Sequence, residues 1–69
     1  MEIVAPVPGL VASVPIVVGA AVAEGDVVVI LQSMKTEIPV STEYAGTVAA
    51  VLVEEGQEVD IGEVLVRLR

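Results

Sequence analysis

The chain has 69 residues, with ten acidic side chains against three basic ones and a net charge of −7. This length suffices for one small, densely packed domain, because such a chain buries only about 60% of its unfolded surface. The charge excludes the basic footprint of a nucleic-acid-binding protein. The lack of cysteine and histidine removes disulfides, thiolate metal sites and the usual nucleophiles and general bases, so we expect no catalysis by the chain alone and no metal site.

The least charged stretch, residues 3–23, contains no ionisable side chain. Pro6, Pro15 and Gly19 are among the residues that interrupt it, so it offers no unbroken run of about 18 apolar residues for a membrane span. Glu2 gives the chain an acidic start, unlike the positive start of a signal peptide. We therefore expect a soluble, unprocessed, cytoplasmic protein that does not bind a membrane.

The chain shows many short β-type runs separated by turn residues, and no helical period of useful length. In chain order, the predicted strands are Glu2–Ala5, Leu10–Val17, Val27–Gln32, Glu37–Val40, Thr47–Val53 and Glu63–Leu68. Two loops, 18–26 and 56–62, are each predicted to turn one valine inward, Val22 and Val59. The glycines are expected at turns with positive φ. This pattern predicts an all-β sandwich or barrel.

An internal repeat relates the two halves of the chain, about 1–34 and 36–69. A shift of 37 places superposes Gly9 on Gly46, and the other interior glycine pairs keep the same offset, Gly19 with Gly56 and Gly25 with Gly62. Each half is too small to bury its own apolar face. The sequence therefore predicts two packed halves related by a pseudo-twofold axis, joined by a hairpin at Met34-Lys35.

Lys35 is the only lysine and, since (1 + 69)/2 = 35, the middle residue of the chain. The turn around it lacks the Gly, Asn or Asp that two-residue hairpin turns require for positive φ. Holding Met34 and Lys35 in such a turn would cost on the order of 1–3 kcal/mol each. A broken local rule in an otherwise consistent sequence points to function. A lone amine on a rigid hairpin is suited to covalent attachment of a carried group.

The segment Gln32-Ser33-Met34-Lys35-Thr36-Glu37 resembles the Met-Lys-Met tip of the biotin carboxyl carrier and biotinyl domains of biotin-dependent carboxylases. Two further stretches resemble the same family: Ala5-Pro6-Val7-Pro8-Gly9 is similar to its opening Ala-Pro-Met-Pro-Gly, and Tyr44-Ala45-Gly46-Thr47-Val48 to its second-half turn. Thr36 departs from the usual Met and Gln32 from the usual Glu. The resemblance covers the whole chain as one biotinyl carrier domain, 1–69. It implies a flattened barrel-sandwich of two four-stranded antiparallel sheets.

The resemblance also implies roles for the tip. Lys35 would carry biotin through an amide installed by a biotin protein ligase, while Ser33, Met34, Thr36 and Glu37 would serve ligase or partner recognition. The carried group would pass a carboxyl between a biotin carboxylase and the carboxyltransferase of, for example, an acyl-CoA carboxylase. The chain would then be a non-catalytic carrier.

Two other functions fit the residues. A lipoyl domain of a 2-oxo acid dehydrogenase-type complex shares the fold and the lysine position, but its tip typically reads Asp-Lys-Ala, so Met34 favours biotin. An unmodified binding or structural module needs no tip lysine at all. That module predicts that Lys35 could be replaced without consequence.

Overall fold

The structure is a computed structural model that describes all 69 residues, and it contains strands and turns only. Its eight strands are β1 (Glu2–Val4), β2 (Gly9–Ser13), β3 (Ala21–Val22), β4 (Val27–Ser33), β5 (Thr36–Ser41), β6 (Gly46–Val51), β7 (Glu58–Val59) and β8 (Val64–Leu68). They form two four-stranded sheets, in the orders β1-β8-β6-β3 and β5-β4-β2-β7. Every neighbouring pair is antiparallel. The predicted all-β class with two four-stranded antiparallel sheets is confirmed.

The repeat seen in the sequence is a repeat of topology. Strands β2, β3 and β4 begin 37 residues before β6, β7 and β8, respectively. Exchanging each of β1–β4 with its counterpart among β5–β8 converts one sheet order into the other. The two halves therefore exchange strands within both sheets, which is why neither half could bury its apolar face alone.

One apolar core joins the two sheets, and valine and leucine dominate it. Its fourteen buried residues are Ile3, Ala5, Val11, Val22, Val28, Val29, Leu31, Val40, Val48, Val53, Val59, Leu65, Val66 and Leu68. β-branched side chains suit such a core because they lose little rotamer freedom on a pleated surface. The inward positions predicted for Val22 and Val59 are confirmed.

The largest departures from the predicted elements are a shortened strand and two loops that contain short strands. The strand predicted over Leu10–Val17 ends at Ser13, and its pairing with β4 already shifts register between Val11 and Ser13. Pro15 lacks an N–H and cannot continue a sheet ladder, so the chain leaves the sheet before it. The two predicted loops each contain a two-residue strand, β3 and β7.

The glycines serve two purposes. Gly19, Gly25, Gly56 and Gly62 have φ between 84° and 94°, which confirms the turn prediction for them. For Gly9 and Gly46 that prediction is wrong, because both begin strands. A Cβ on Gly9 would lie 2.8 Å from the carbonyl oxygen of Gln32, and one on Gly46 would lie 3.1 Å from that of Arg69. Close backbone approach, not turn geometry, requires glycine there.

Candidate functional site

The β4–β5 hairpin ends in a two-residue turn formed by Met34 and Lys35. Ser33 and Thr36 are the last paired residues of the ladder. Met34 has φ 49° and Lys35 has φ 67°, so both lie in the left-handed region that a type I′ turn requires. The prediction of a primed turn built from unfavourable residues is confirmed. The long β4–β5 ladder holds the turn in a conformation that these two residues would otherwise avoid.

The amine of Lys35 is accessible. Lys35 is exposed, and the side chain of Met34 beside it is 94% exposed. The structure holds one ion pair, between Arg67 and Glu2 at 3.2 Å, and Lys35 takes part in none. An exposed amine that is held by no carboxylate is accessible to an activated acyl group, so the geometry of the site is compatible with a prosthetic group held through an amide.

An exposed row of side chains crosses the sheet just below the turn. Gln32 on β4 stands opposite Glu37 on β5 and Leu10 on β2, and Leu10 in turn stands opposite Glu58 on β7. Residues directly opposite one another in antiparallel strands share a face of the sheet. All four are exposed, so they lie on its outer face. We call Glu58, Leu10, Gln32 and Glu37 the tip row.

A shallow depression of about 440 Å³ connects this row to the turn. Leu10, Gln32 and Glu58 line it together with Met34 and Pro8. Its lining is therefore mixed, with apolar side chains next to one acid and one amide. The depression reaches the lysine-bearing turn through Met34.

The structure brings the sequence-predicted recognition residues together at one end of the hairpin. Ser33 is half-buried, whereas Met34, Thr36 and Glu37 are exposed beside Lys35. Sequence reasoning missed Leu10 and Glu58, which approach the tip only through strand pairing. The available signal was that both differ from the residues at the equivalent positions of the other repeat, Thr47 for Leu10 and Ala21 for Glu58.

Other surfaces offer less chemistry. A depression of about 410 Å³ between the edge strands β1 and β5 is lined by residues that include Val4, Pro39 and Tyr44, and by none of the turn. No three acidic side chains converge closely enough to hold a metal ion. Nothing in the structure is a helix capable of crossing a membrane.

The fold and the site define a barrel-sandwich domain that presents its one lysine, exposed, at the end of a hairpin. The chain belongs to the family described as "Biotin-requiring enzyme", whose sequence model matches residues 1–68. The resemblance seen in the tip motif is thereby confirmed.

Individual relatives agree with this assignment. The chain is 39% identical over 64 residues to a biotin carboxyl carrier protein of Streptococcus mutans, an alignment that covers 93% of this chain and 49% of that protein. The chain thus spans about half the length of that relative. Among solved structures, it superposes on the urea carboxylase of Kluyveromyces lactis with a TM-score of 0.94 and 28% identity, covering 100% of this chain and 6% of that one.

A lipoyl domain has the same architecture. The lipoyl domain of the 2-oxoglutarate dehydrogenase complex from Azotobacter vinelandii matches with a TM-score of 0.81 and 29% identity, covering 100% of this chain and 95% of that one. The fold alone therefore does not distinguish biotin attachment from lipoyl attachment. Only the residues at the tip of the hairpin can distinguish the two.

Proposed function

We propose that this chain is a biotin carboxyl carrier in which Lys35 holds biotin through an amide. One observation carries the proposal: the only lysine stands, exposed and unpaired, in a strained two-residue turn directly after Met34. The match to the biotin-requiring family and the similarity to the Streptococcus mutans carrier protein support it. The catalytic steps would belong to partner enzymes, a biotin carboxylase and a carboxyltransferase.

The chain's own residues would contribute a nucleophile and its position. Once deprotonated, Nζ of Lys35 would attack a carboxyl group that a biotin protein ligase has activated with ATP. A C–N bond forms, the attacking nitrogen releases one proton to solvent, and the activating group leaves with the electron pair of the broken C–O bond. When bound, biotin supplies a ureido nitrogen that takes up a carboxyl group at one site and releases it at another. The turn fixes the backbone of Lys35, and the flexible aliphatic side chain would allow the carried group to swing.

The tip favours biotin over lipoate. Lipoyl tips typically place an acidic residue before the lysine, whereas this chain has Met34 there. Met34 is 94% exposed, so a ligase could contact it directly. Thr36 and Glu37 follow, both exposed. We expect this chain to be a poor substrate for lipoate attachment.

Intact-mass analysis tests the proposal cleanly because the chain has one lysine. The protein is incubated with biotin, ATP and a purified biotin protein ligase, beside Lys35→Arg as the control. One biotinyl increment in the wild type and none in Lys35→Arg supports the proposal. A lipoyl increment with a lipoate ligase, without a biotinyl one, would assign the chain to the lipoyl carriers. No increment with either would favour an unmodified module.

A further inference from the structure

The duplication separates residues that the fold needs from residues that it does not. The tip end of the molecule has a structural counterpart where β8 and β1 meet, 37 positions away along the chain. Residues with a structural duty are retained at both ends: Gly9 corresponds to Gly46, and buried Val59 corresponds to buried Val22. A position that differs between the two ends carries no requirement that the shared fold imposes on both.

The tip row differs at each position that has a counterpart. The pairs are Leu10 and Thr47, Glu58 and Ala21, and Gln32 and Arg69. The counterparts occupy equivalent places, since Ala21 pairs with Thr47 and the N–H of Arg69 donates to the carbonyl of Thr47 at 2.8 Å. The end without the lysine thus carries no large apolar residue and no acid in this row, and it carries a cation. The strand framework that the two ends share therefore does not require Leu10 or Glu58.

The neighbouring turn shows the same bias. Gly56 N–H donates to the carbonyl of Val11 at 2.9 Å, which places the turn beginning Glu54-Glu55 one residue from Leu10. At the other end, Gly19 N–H donates to the carbonyl of Val48 at 2.8 Å, and the equivalent turn begins Val17-Val18. The turn at the lysine end therefore carries two acidic residues, whereas the equivalent turn at the opposite end carries two valines.

We propose that the tip row is the docking surface for the enzyme that acylates Lys35, a biotin protein ligase if the proposed function holds. The complementary partner surface presents an apolar side chain to Leu10 and a cation on either side of it. Because Glu58 and Glu37 lie three strands apart, those cations would stand about 14 Å apart, at roughly 4.8 Å per strand spacing.

Two features of the tip row support this assignment: its surface is continuous with the lysine-bearing turn, and it carries acidic side chains. An enzyme that reaches Nζ of Lys35 must cover the turn, and the depression beneath it leads directly from Met34 to Leu10 and Glu58. An apolar contact between charged flanks is typical of small transient interfaces. The acids would raise the association rate with a basic rim, and that effect weakens with salt.

The first test measures the kinetics of biotin attachment. Leu10→Thr and Glu58→Ala each install the residue found at the equivalent position of the other repeat, Thr47 and Ala21, so both variants are expected to fold. Glu24→Ala is the charge-matched control, because Glu24 precedes the far end of β4, roughly 20 Å from the turn at 3.3 Å per residue. We expect the double variant Leu10→Thr/Glu58→Ala to lose about tenfold in kcat/KM through KM, and Glu24→Ala to stay within about twofold.

The second test measures binding without chemistry. Lys35→Arg keeps the charge but accepts no acyl group, so its affinity for the ligase can be titrated with and without Leu10→Thr/Glu58→Ala. Weaker binding of the triple variant, with a shallower salt dependence than Lys35→Arg alone, supports the docking surface. Equal affinities, or equal kcat/KM values in the first test, would overturn it while leaving the proposed function intact. Failure of the wild type to be biotinylated would overturn both.

Discussion

Gly9 and Gln32 lie on adjacent strands so close together that a methyl group has no place between them. A Cβ on Gly9 would stand 2.8 Å from the carbonyl oxygen of Gln32, three residues before Lys35. The same contact recurs in the second half between Gly46 and Arg69, at 3.1 Å. The first contact lies at the base of the lysine hairpin, and the second involves the terminal residue.

Gly9→Ala is expected to destabilise the protein by about 1–3 kcal/mol, because the backbone of β4 must shift to admit the methyl group. The entropy that alanine removes from the unfolded chain, about 0.4–1 kcal/mol, does not offset this. Gly46→Ala is the matched control. Its clash is milder, at 3.1 Å against 2.8 Å, so we expect a change within about 1 kcal/mol. Thermal unfolding of both variants measures which substitution costs more stability. A Gly9→Ala protein as stable as Gly46→Ala would contradict the prediction.

Relieving the turn should raise stability and abolish attachment. Replacing Met34 by Asn together with Lys35 by Gly gives the turn residues that tolerate positive φ. We expect the free energy of unfolding to rise by about 1–2 kcal/mol, measured in urea. Alanine at both positions keeps the strain and serves as the control. No gain over the alanine pair would show that the turn stores no strain.

Thr42 closes the turn that leads into β6, and its hydroxyl makes two bonds to one residue. Oγ1 donates to the carbonyl of Tyr44 at 2.7 Å and accepts from the N–H of Tyr44 at 3.0 Å, while the side chain is 1% exposed. Thr42→Val keeps the shape but removes both bonds, so we expect a loss of about 1–2 kcal/mol. Thr42→Ser keeps the hydroxyl and should lose less. Equal urea midpoints for the two variants would refute this role.

We expect burial to decide how much stability a leucine contributes, and two leucines of different burial allow a comparison. Leu31 is fully buried directly beneath the tip row, whereas Leu52 is 44% exposed. Leu31→Ala should lose about 2–5 kcal/mol, which approaches the total stability of so small a domain. Leu52→Ala should change stability by less than about 1 kcal/mol. Circular dichroism during urea unfolding measures both, and comparable losses would show that burial does not set the cost.

Much of the fold could be predicted because the sequence contains it twice. Strand positions uncertain in one half were supported by the other, and inward Val22 and Val59 followed from the same comparison. The strained turn could be predicted because Met34 and Lys35 break a backbone rule that is local to these two residues. These are properties of short stretches, and short stretches are what sequence patterns describe well.

What could not be predicted depends on which residues meet across strands. The need for glycine at position 9 comes from a carbonyl 23 residues away, and no local pattern contains that contact. Leu10 lies beside the hairpin only because the β2–β4 register places it opposite Gln32. The effect of Pro15 also reaches beyond its own position, since β2 ends at Ser13, two residues before it.

The pairing of Met1 with Leu68 has an engineering consequence. Leu68 N–H donates to the carbonyl of Met1 at 2.7 Å, and the amine of Met1 donates to the carbonyl of Leu68 at 3.0 Å. Under the 37-residue offset, Arg69 corresponds to Gln32 and Met1 to Ile38, so the gap between them corresponds to the five residues Ser33–Glu37. Joining Arg69 to Met1 with that pentapeptide would give a cyclic protein with a second display hairpin. The symmetry of the fold thus provides two equivalent hairpin positions, and the single lysine lies in one of them.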